Sequence, residues 1–348
     1  MQFRATPQTF LERIILLSGL APVPLVDTLI AQLFARTIMA GTRMGIFDAL
    51  ERGPLSAPEV AAQCGTDPRA TEKLLFALAS SGYLHARGDQ YRLAKVARKW
   101  LLRSSPGSLR DATLQRYLDL KLMDHAEDFV LTGRPADLHN SITPDEWELY
   151  QRGQRSHAIY AAPEVARRTP VARGARRMLD IGGSHGHYSA MLCRRHPRLQ
   201  STILDLPDAV AHAAPLLHAE GMGDRIVHWA GSALIEDLGA GVYDLVFTAN
   251  LVHHFDDETN RLLQQRIARA LRPGGYSVIY ETIRSTTPEA AGQVGGLLDF
   301  FFAMTSEAGT WSFDEMAAWQ KNAGLEPRKP IRLISAPGYG LQAAKKCT

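Results

Sequence analysis

The stretch RMLDIGGSHGHYS, residues 177–189, has the pattern of a β-strand followed by a tight turn and the start of a helix. The apolar run closes at Asp180, and we expect the helix to begin near His187. Glycine permits a sharp turn and close approach of a ligand to the backbone, and the turn contains Gly182, Gly183 and Gly186. Ligands of open α/β sheets lie at the carboxyl ends of strands, so this turn is the expected binding site.

Short apolar segments alternate with helical segments after this stretch. The strand segments, in chain order, are RMLDI, STILDL, RIVHW, YDLVFTA and YSVIYETI. This alternation predicts an α/β sheet with helices on both faces. The C-terminal segments PIRLIS and GLQAAK predict a closing antiparallel hairpin. We expect this domain to span residues 171–348, with a hinge at RRTPVARGARR, Arg167–Arg177.

Residues 1–170 are expected to form a separate, mostly helical domain. Ser56 can cap a helix that stops at Gly65, and Asp67 followed by Pro68 can start another. The segments YLHAR, GD and QYRLA then predict a two-stranded hairpin, which completes a winged helix. Winged helices can bind DNA, but this one offers few cations to hold phosphates, namely Arg69 and Lys73. A DNA-binding regulator is therefore a remote alternative to a dimerisation module.

The segment Leu25–Leu50 carries a broad apolar face at helical spacing. Its members are Leu29, Ile30, Leu33, Phe34, Ile38 and Met39. The segment precedes any compact core that could cover this face. We expect the face to be buried against a second copy of the chain in a homodimer.

Composition excludes several classes of partner. The 348 residues include 39 basic and 36 acidic side chains, so a net charge of +3 gives no large field that would favour nucleic acid or membrane. Cys64, Cys193 and Cys347 form neither a disulfide framework nor a zinc spacing, which fits a reducing cytoplasm. No run approaches the roughly 20 apolar residues of a membrane span. We expect a cytoplasmic protein without a structural metal.

The glycine spacing of the turn distinguishes among nucleotide ligands. A dinucleotide fingerprint needs further glycines where Ser184 and His187 stand, and no Lys-Ser or Lys-Thr pair marks a P-loop. The next strand nevertheless ends in Asp205, where a carboxylate can accept hydrogen bonds from both ribose hydroxyls. An adenosine ligand without phosphate, S-adenosylmethionine, fits both features. The alternative is a glycine turn in another kind of α/β enzyme.

These motifs together resemble the dimeric, S-adenosylmethionine-dependent small-molecule O-methyltransferases. That family includes the plant caffeic acid type, acetylserotonin O-methyltransferase and many bacterial tailoring enzymes. The resemblance rests on the winged helix and on DIGGSHG, DLPDAV, RIVHWAGSAL, NLVHHFDDE, ALRPGGYSVIYETI and WQKNAGL, in that order. It implies a class I methyltransferase Rossmann-like sheet preceded by a winged-helix dimerisation domain.

The resemblance also implies a set of cofactor-binding residues. The backbone around Gly182 would hold the methionine portion, Asp205 the ribose, and the loop after the third strand the adenine. Two positions depart from the family, because many relatives carry Asp at Ser232 and Lys at Ala249. The full expected set is Asp180, Gly182, Gly183, Gly186, Asp205, Leu206, Gly231, Ser232, Ala233 and Ala249.

The stretch NLVHHFDDE, residues 250–258, holds the expected base. In the family the motif is usually His-Asp-Trp with the histidine as proton acceptor, which implies that His253 is the base. A phenol, with a pKa of about 10, is a poor methyl acceptor until a neutral imidazole takes its proton. We expect His254 to be structural, bonding the loop or the helix cap at Asp256. The alternative that the two histidines bind a metal lacks a third ligand nearby.

Two glutamates of the family bear on this base. Glu281, at the end of the fifth strand, matches the first of them, and the resemblance implies that its carboxylate orients His253 and fixes its tautomer. The second family glutamate would fall near Phe313 and is absent, unless Asp314 or Glu315 substitutes for it. This departure keeps open a carbon acceptor, such as an enol or an electron-rich ring, beside a hydroxyl acceptor.

The acceptor pocket is expected from an apolar segment, GGLLDFFFAMTSEAGTW, which covers the acceptor in relatives. Inward-facing aromatic side chains would favour a flat aromatic metabolite through stacking and dispersion. Three adjacent aromatics cannot all face one pocket, so some of them belong to ordinary packing. The expected substrate contacts are Phe300, Phe301, Met304, Trp147 and Tyr150, with Phe129 as further roof.

Overall fold

The computed structural model describes residues 3–136, 142–306 and 308–347. Backbone contacts divide the chain into two compact units, Met1–Tyr117 and Leu118–Thr348. The boundary expected from the sequence, between residues 170 and 171, therefore falls inside the second unit.

The first unit consists of helices and one small sheet. Its elements are α1 (Phe10–Leu17), α2 (Val23–Arg43), α3 (Ile46–Ala49), β1 (Leu55–Ser56), α4 (Ala57–Cys64), α5 (Pro68–Ser80), β2 (Leu84–Arg87), β3 (Gln90–Leu93), α6 (Lys95–Trp100) and α7 (Arg110–Met123), which crosses into the second unit.

Local signals in the sequence define the winged helix. Ser56 forms a capping box with Glu59 at the start of α4, and Gly65 ends that helix with a φ of 65°. The Asp67 side chain accepts a hydrogen bond from the Ala70 amide at the start of α5. The three strands pair in the order β1-β3-β2. These elements confirm the winged helix that the sequence predicts.

The helix α2 exposes much of its apolar surface. Leu25, Leu29 and Leu33 are 62%, 56% and 55% exposed, whereas Met39 is buried within its own unit. Among the described residues, α2 is the one helix whose length and composition would suffice to cross a membrane. The expectation that no run reaches that length is therefore wrong for α2 on these two criteria.

The second unit alternates strands and helices. Its elements are α8 (Ala126–Thr132), α9 (Pro144–Arg168), β4 (Arg177–Ile181), α10 (His187–Arg195), β5 (Gln200–Asp205), α11 (Pro207–Ala219), β6 (Ile226–Ala230), β7 (Tyr243–Ala249), α12 (Asp257–Ala270), β8 (Leu271–Thr282), α13 (Pro288–Thr305), α14 (Phe313–Asn322), β9 (Leu325–Pro327), β10 (Ile331–Arg332) and β11 (Tyr339–Lys346).

One mixed sheet organises this unit. Its strands run in the order β10-β11-β8-β7-β4-β5-β6, and β9 pairs with β11. The five strands β4 to β8 are parallel, whereas β11 is antiparallel to β8 and to β10. The parallel strands thus end along one edge, where the sequence predicted the binding turn. The terminal hairpin is also confirmed.

Both faces of the sheet are packed. Successive side chains of a strand point to opposite faces, so Met178 joins one apolar cluster and Leu179 the other. Phe247 and Val246 of β7 divide in the same way. Strands buried on both faces explain the continuous apolar runs of the sequence.

A buried carboxylate ties three helices together. Glu220, just after α11, accepts from Arg155 of α9 at 2.7 Å and from Arg194 of α10 at 3.0 Å, and His187 Nδ1 lies 2.9 Å from it. Burial alone would raise the pKa of Glu220, but hydrogen bonds and charge from His187 and Arg155 outweigh burial and lower it to about 2. Glu220 therefore stabilises the packing of α9 and α10 against the end of α11.

We predict that Glu220→Gln lowers the free energy of unfolding by about 2 kcal/mol, because partly exposed arginines lose a charged acceptor. Urea unfolding of the wild type and the variant measures this difference. The pKa is depressed in the folded protein, so the difference should be constant above pH 4.5 and shrink only as the pH falls from 4.5 toward about 2. A difference that disappears near pH 6 would instead assign the effect to a histidine.

Candidate active site

A cavity of about 360 Å³ opens at the carboxyl ends of the parallel strands. Its walls are the turn after β4, the ends of β5, β6 and β7, and one face of α9. This volume lies in the range of small-molecule sites.

The turn after β4 has no room for side chains at its centre. Gly182 has a φ of 71°, and a Cβ on Gly183 would lie 2.4 Å from the carboxyl carbon of Asp180. Asp180 cannot easily yield, because it is fully buried and accepts a 2.6 Å hydrogen bond from the Ser189 hydroxyl. Burial raises the pKa of Asp180 to about 7. Asp180 thus lies beneath the turn and does not line the cavity.

Asp205 faces the cavity from the end of β5. Its two oxygens accept backbone hydrogen bonds from Ser184 at 2.9 Å and from Leu206 at 2.8 Å. Burial raises the pKa of Asp205 to about 6. Each carboxylate oxygen has a further lone pair, so the oriented carboxylate can accept two more hydrogen bonds. The two hydroxyls of a diol can donate them.

The predicted cofactor residues divide into two groups. Asp180 and Gly186 do not line the cavity, and Gly186 instead precedes the first residue of α10. The remaining eight line it: Gly182, Gly183, Asp205, Leu206, Gly231, Ser232, Ala233 and Ala249.

One wall was expected only in part from the sequence. The α9 residues at the cavity recur at spacings of three and four, which is one face of a helix: Trp147, Tyr150, Gln151, Gln154, His157 and Ala158. Trp147 and Tyr150, expected as substrate contacts, share this cavity with Asp205 and stand edge to face at 5.8 Å. The Gln151 carboxamide oxygen accepts from the Ser184 hydroxyl, which joins α9 to the turn.

The cavity carries little charge. Among its lining residues, all of which the structure describes, Asp205 is the one carboxylate and no lysine or arginine occurs. His185 also lines it, and burial, followed by the charges of His187 and Arg155, lowers its pKa to about 3. His185 is therefore neutral at physiological pH.

His253 lies in a short 3₁₀ turn, Val252–His254, after β7, and is 4% exposed. Its Nδ1 lies 3.1 and 3.0 Å from the two carboxylate oxygens of Glu281, at the end of β8. Glu281 is itself fully buried. A carboxylate acceptor keeps the ring proton on Nδ1, so Nε2 is the nitrogen with a lone pair. The structure thus brings the two expected residues together.

Neighbouring side chains hold this turn in place. The Val252 carbonyl accepts from the indole of Trp311 and the amide of Asn260, each at 2.9 Å. The ring of Phe302 lies 4.5 Å from the ring of His253. Phe302 therefore contacts the candidate base, although it was not among the expected substrate residues.

His254 lies within hydrogen-bonding distance of the residue that follows α13. Asp256 caps α12 through the Thr259 amide, whereas His254 Nδ1 lies 3.2 Å from the Ser306 hydroxyl. His254 also lines the cavity, which His253 does not. Within the described ranges, no group of three or more His, Cys, Asp or Glu side chains is arranged to hold a metal.

The expected pocket residues of α13 lie in different surroundings. Phe300 is 42% exposed and its ring lies 6.0 Å from that of Phe129, whereas Met304 is buried. Phe301 packs edge to face on Phe302 at 5.8 Å. None of Phe300, Phe301 and Met304 lines the cavity that contains Asp205.

The acidic residues near Phe313 have other partners or face solvent. Glu315 forms the capping box of α14 with Ser312 and an ion pair with Arg284. Asp314 is exposed. The phenyl ring of Phe313 itself lies against Gly340.

Comparison with known proteins assigns both parts of the chain. A model described as an O-methyltransferase domain matches residues 132–326, and one described as an O-methyltransferase dimerisation domain matches residues 27–104. The chain is 28% identical to 3-hydroxy-5-methyl-1-naphthoate 3-O-methyltransferase of Streptomyces sahachiroi over 349 residues, 94% of this chain and 98% of that protein.

A second sequence relative and a solved structure extend the comparison. L-tyrosine C(3)-methyltransferase of Streptomyces lavendulae is 24% identical over 319 residues, 86% of this chain and 85% of that protein. Human N-acetylserotonin methyltransferase in complex with SAM superposes with a TM-score of 0.83 at 20% identity, over 99% of this chain and 100% of that one, which shows a shared fold. Because the domain match spans more than half of the chain, the protein belongs to the O-methyltransferase family.

Proposed function

We propose that the protein transfers the methyl group of S-adenosylmethionine to a hydroxyl of a small aromatic metabolite, with His253 as general base. The observation that carries this proposal is the buried pair of His253 and Glu281, which follows β7 and ends β8 at the edge of the sheet where the cavity opens.

Three features of the cavity support S-adenosylmethionine as the methyl donor. When bound, this molecule supplies a methyl group activated by a positive sulfonium. Asp205 is oriented by two backbone amides to receive a ribose diol. The turn at Gly183 permits close backbone approach, and a lining without lysine or arginine suits a cationic ligand and not a pyrophosphate.

The bond between His253 and Glu281 supports a role in proton transfer. With Nδ1 engaged by the carboxylate, Nε2 can take a proton from an acceptor hydroxyl. The resulting imidazolium is stabilised by the adjacent negative charge of Glu281. Glu281 is thus a positioning residue and His253 the proposed catalytic residue.

Aromatic surroundings support a flat acceptor. Phe302 lies 4.5 Å from the proposed base, and His254 and Phe255 line the cavity beside it. Stacking and dispersion on such rings favour an aromatic metabolite. The S. sahachiroi relative acts on a naphthoate by its name, which agrees with this class.

Methylation of carbon is the second candidate. It is favoured by the relative named for C(3) of L-tyrosine and by Phe313 at the position expected for a second glutamate. On this route an enol or electron-rich ring attacks the methyl group. The match to a dimerisation domain includes the winged helix and therefore favours a dimerisation module over a DNA-binding regulator.

We further propose that the protein is a homodimer. The dimerisation-domain match begins at residue 27, within α2, and α2 exposes an apolar face that a partner chain would cover. Hydrophobic burial at such a face is the main driving force of association.

Asp205→Ala should weaken binding of S-adenosylhomocysteine by roughly 1–3 kcal/mol, because the ribose loses its charged acceptor. Isothermal calorimetry measures this loss, and Asp208→Ala, an exposed neighbour, should leave affinity unchanged. Wild-type affinity should be constant above pH 7 and fall as the pH drops below the Asp205 pKa of about 6. Binding of NAD in place of S-adenosylhomocysteine would contradict the proposal.

His253→Ala should lower kcat by roughly 10²–10⁴, the contribution typical of a general base, while S-adenosylhomocysteine affinity stays nearly unchanged. The kcat of Glu281→Gln should lie between those of the wild type and His253→Ala, because this change disturbs the tautomer of His253 but retains its imidazole. His254→Ala should cost much less activity.

The position of the new methyl group separates the two routes. Proton and carbon NMR of the product distinguish a methyl on oxygen from one on carbon, and we expect oxygen. A methyl on carbon would overturn O-methylation and leave the donor site intact.

Leu29→Asp combined with Leu33→Asp should convert the wild-type dimer into monomers, because two charges would enter the proposed interface. Light scattering after size exclusion gives the mass directly. The matched control is Ile235→Asp, which changes a side chain 80% exposed in the other unit and should remain dimeric. A monomeric wild type that sediments with lipid vesicles would contradict this use of α2.

A further inference from the structure

Two backbone hydrogen bonds close the 3₁₀ turn that carries His253. The His254 amide donates to the Leu251 carbonyl at 3.0 Å, and the Phe255 amide donates to the Val252 carbonyl at 3.3 Å, which is long for such a bond. A single helical turn gains few hydrogen bonds for the backbone that it orders, and no further turn follows to stabilise it. The position of this turn therefore depends on its neighbours.

Asn260 of α12 binds both ends of the turn. Its side-chain nitrogen donates to the Val252 carbonyl at 2.9 Å and to the Phe255 carbonyl at 3.0 Å. The indole of Trp311 also donates to the Val252 carbonyl, at 2.9 Å. A carbonyl oxygen has two lone pairs, so these two shorter bonds outweigh the turn's own bond at Val252. Side chains around the turn thus determine where it lies.

The amide of Asn260 is costly for the helix that carries it. The side chain is 1% exposed, and its Oδ1 is buried with no hydrogen-bonding partner among the described residues. Half a turn of the amide would not help, because the oxygen would then face two carbonyl oxygens. Asparagine is also less favourable than alanine or leucine inside a helix. The helix itself gains nothing from this amide, so its contribution lies in the turn that it holds.

The rotation of this turn decides which histidine meets Glu281. Three residues complete a 3₁₀ turn, so successive side chains point about 120° apart. His253 Nδ1 lies 3.0 Å from Glu281, whereas His254 lines the cavity and lies beside Ser306. Rotation by one residue would exchange the two imidazoles. A displacement of about 1 Å would already misplace the proposed base for proton transfer.

We propose that Asn260 is a positioning residue for methyl transfer: by holding the Val252 and Phe255 carbonyls, it keeps the His253 imidazole against Glu281. Asn260 does not line the cavity, so it acts through the backbone of the turn and not on a ligand. This inference rests on the proposed function, in which His253 takes the proton of the acceptor.

The chain offers a matched control one helical turn away. Gln264 lies on the same buried face of α12, and its Oε1 accepts from the Ser277 hydroxyl at 3.0 Å. Asn260→Ala should lower kcat about 10- to 100-fold, the cost of a misplaced reacting group. Gln264→Ala, which also removes a buried amide, should keep kcat within about two-fold of the wild type. Both variants should bind S-adenosylhomocysteine as the wild type does.

A double variant separates positioning from a general loss of stability. Once His253→Ala has removed the imidazole, adding Asn260→Ala should change kcat by no more than about two-fold, because the group that it positions is gone. Losses that multiply in the double variant, or a wild-type kcat in Asn260→Ala alone, would overturn the inference. Asn260→Ser retains one donor and should recover part of kcat. It supplies the same comparison if the alanine variant does not fold.

Hydrogen–deuterium exchange tests the contacts without an acceptor. In Asn260→Ala the amides of His254 and Phe255 should lose protection, and in Gln264→Ala they should retain it. Unchanged protection in Asn260→Ala would overturn the inference. The kinetic assays use the phenol or naphthol that the wild type methylates fastest. A wild type that methylates none of these compounds, or a fully active His253→Ala, would instead overturn the proposed function.

Discussion

The absence of a side chain at Gly183 is the constraint on which the site depends. The buried carboxylate of Asp180 occupies the place where a Cβ would be, and its bond to Ser189 prevents it from moving aside. The turn therefore presents bare backbone to the cavity. It also directs the Ser184 amide to Asp205, and this bond, together with that of the Gly182 amide to the Leu204 carbonyl, joins the ends of β4 and β5. A carboxylate that is kept out of the cavity thus shapes the surface that a ligand meets.

The strand order of the sheet places the other residues of the site beside this turn. Parallel pairing of β4, β5 and β7 brings residues far apart in the chain to one edge. The next pairing, of β7 with β8, places Glu281 beside the turn that carries His253. In the proposed mechanism this separates two tasks, since the β4 and β5 ends bind the donor and the β7 and β8 ends move a proton. Burial serves both tasks by strengthening the hydrogen bonds.

Much of the fold follows from local signals in the sequence. Capping residues such as Ser56 and Asp67 mark helix starts, and the apolar runs mark strands buried on two faces. The pairing of His253 with Glu281 was expected from family resemblance and strand ends, and the structure brings the two together. The neutral histidine at the cavity was missed, although His185 stands inside the glycine turn itself. Its tautomer depends on a hydrogen bond from His187, and its protonation depends on burial, which the sequence does not display.

Contacts between segments far apart in the chain account for most of the other differences between the site expected from the sequence and the site in the structure. The face of α9 has a helical spacing in the sequence, but only packing shows that Gln151 meets the turn and not solvent. Three adjacent phenylalanines are indistinguishable by composition, and the path of α13 decides that Phe302 meets His253. His254 bonds Ser306, which is more than 50 residues away. Each of these outcomes depends on tertiary packing, so residue type alone does not specify it.

The central claim is that one cavity holds the methyl donor in a single orientation, with its reactive end toward His253. A crystal structure of the protein with S-adenosylhomocysteine tests this claim most directly. The account predicts ribose hydroxyls on Asp205, adenine beside Gly231, and the amino-acid end beside the backbone of the turn at Gly182. A ligand in the reverse orientation, with adenine toward His253, or a ligand bound outside this cavity, would contradict it.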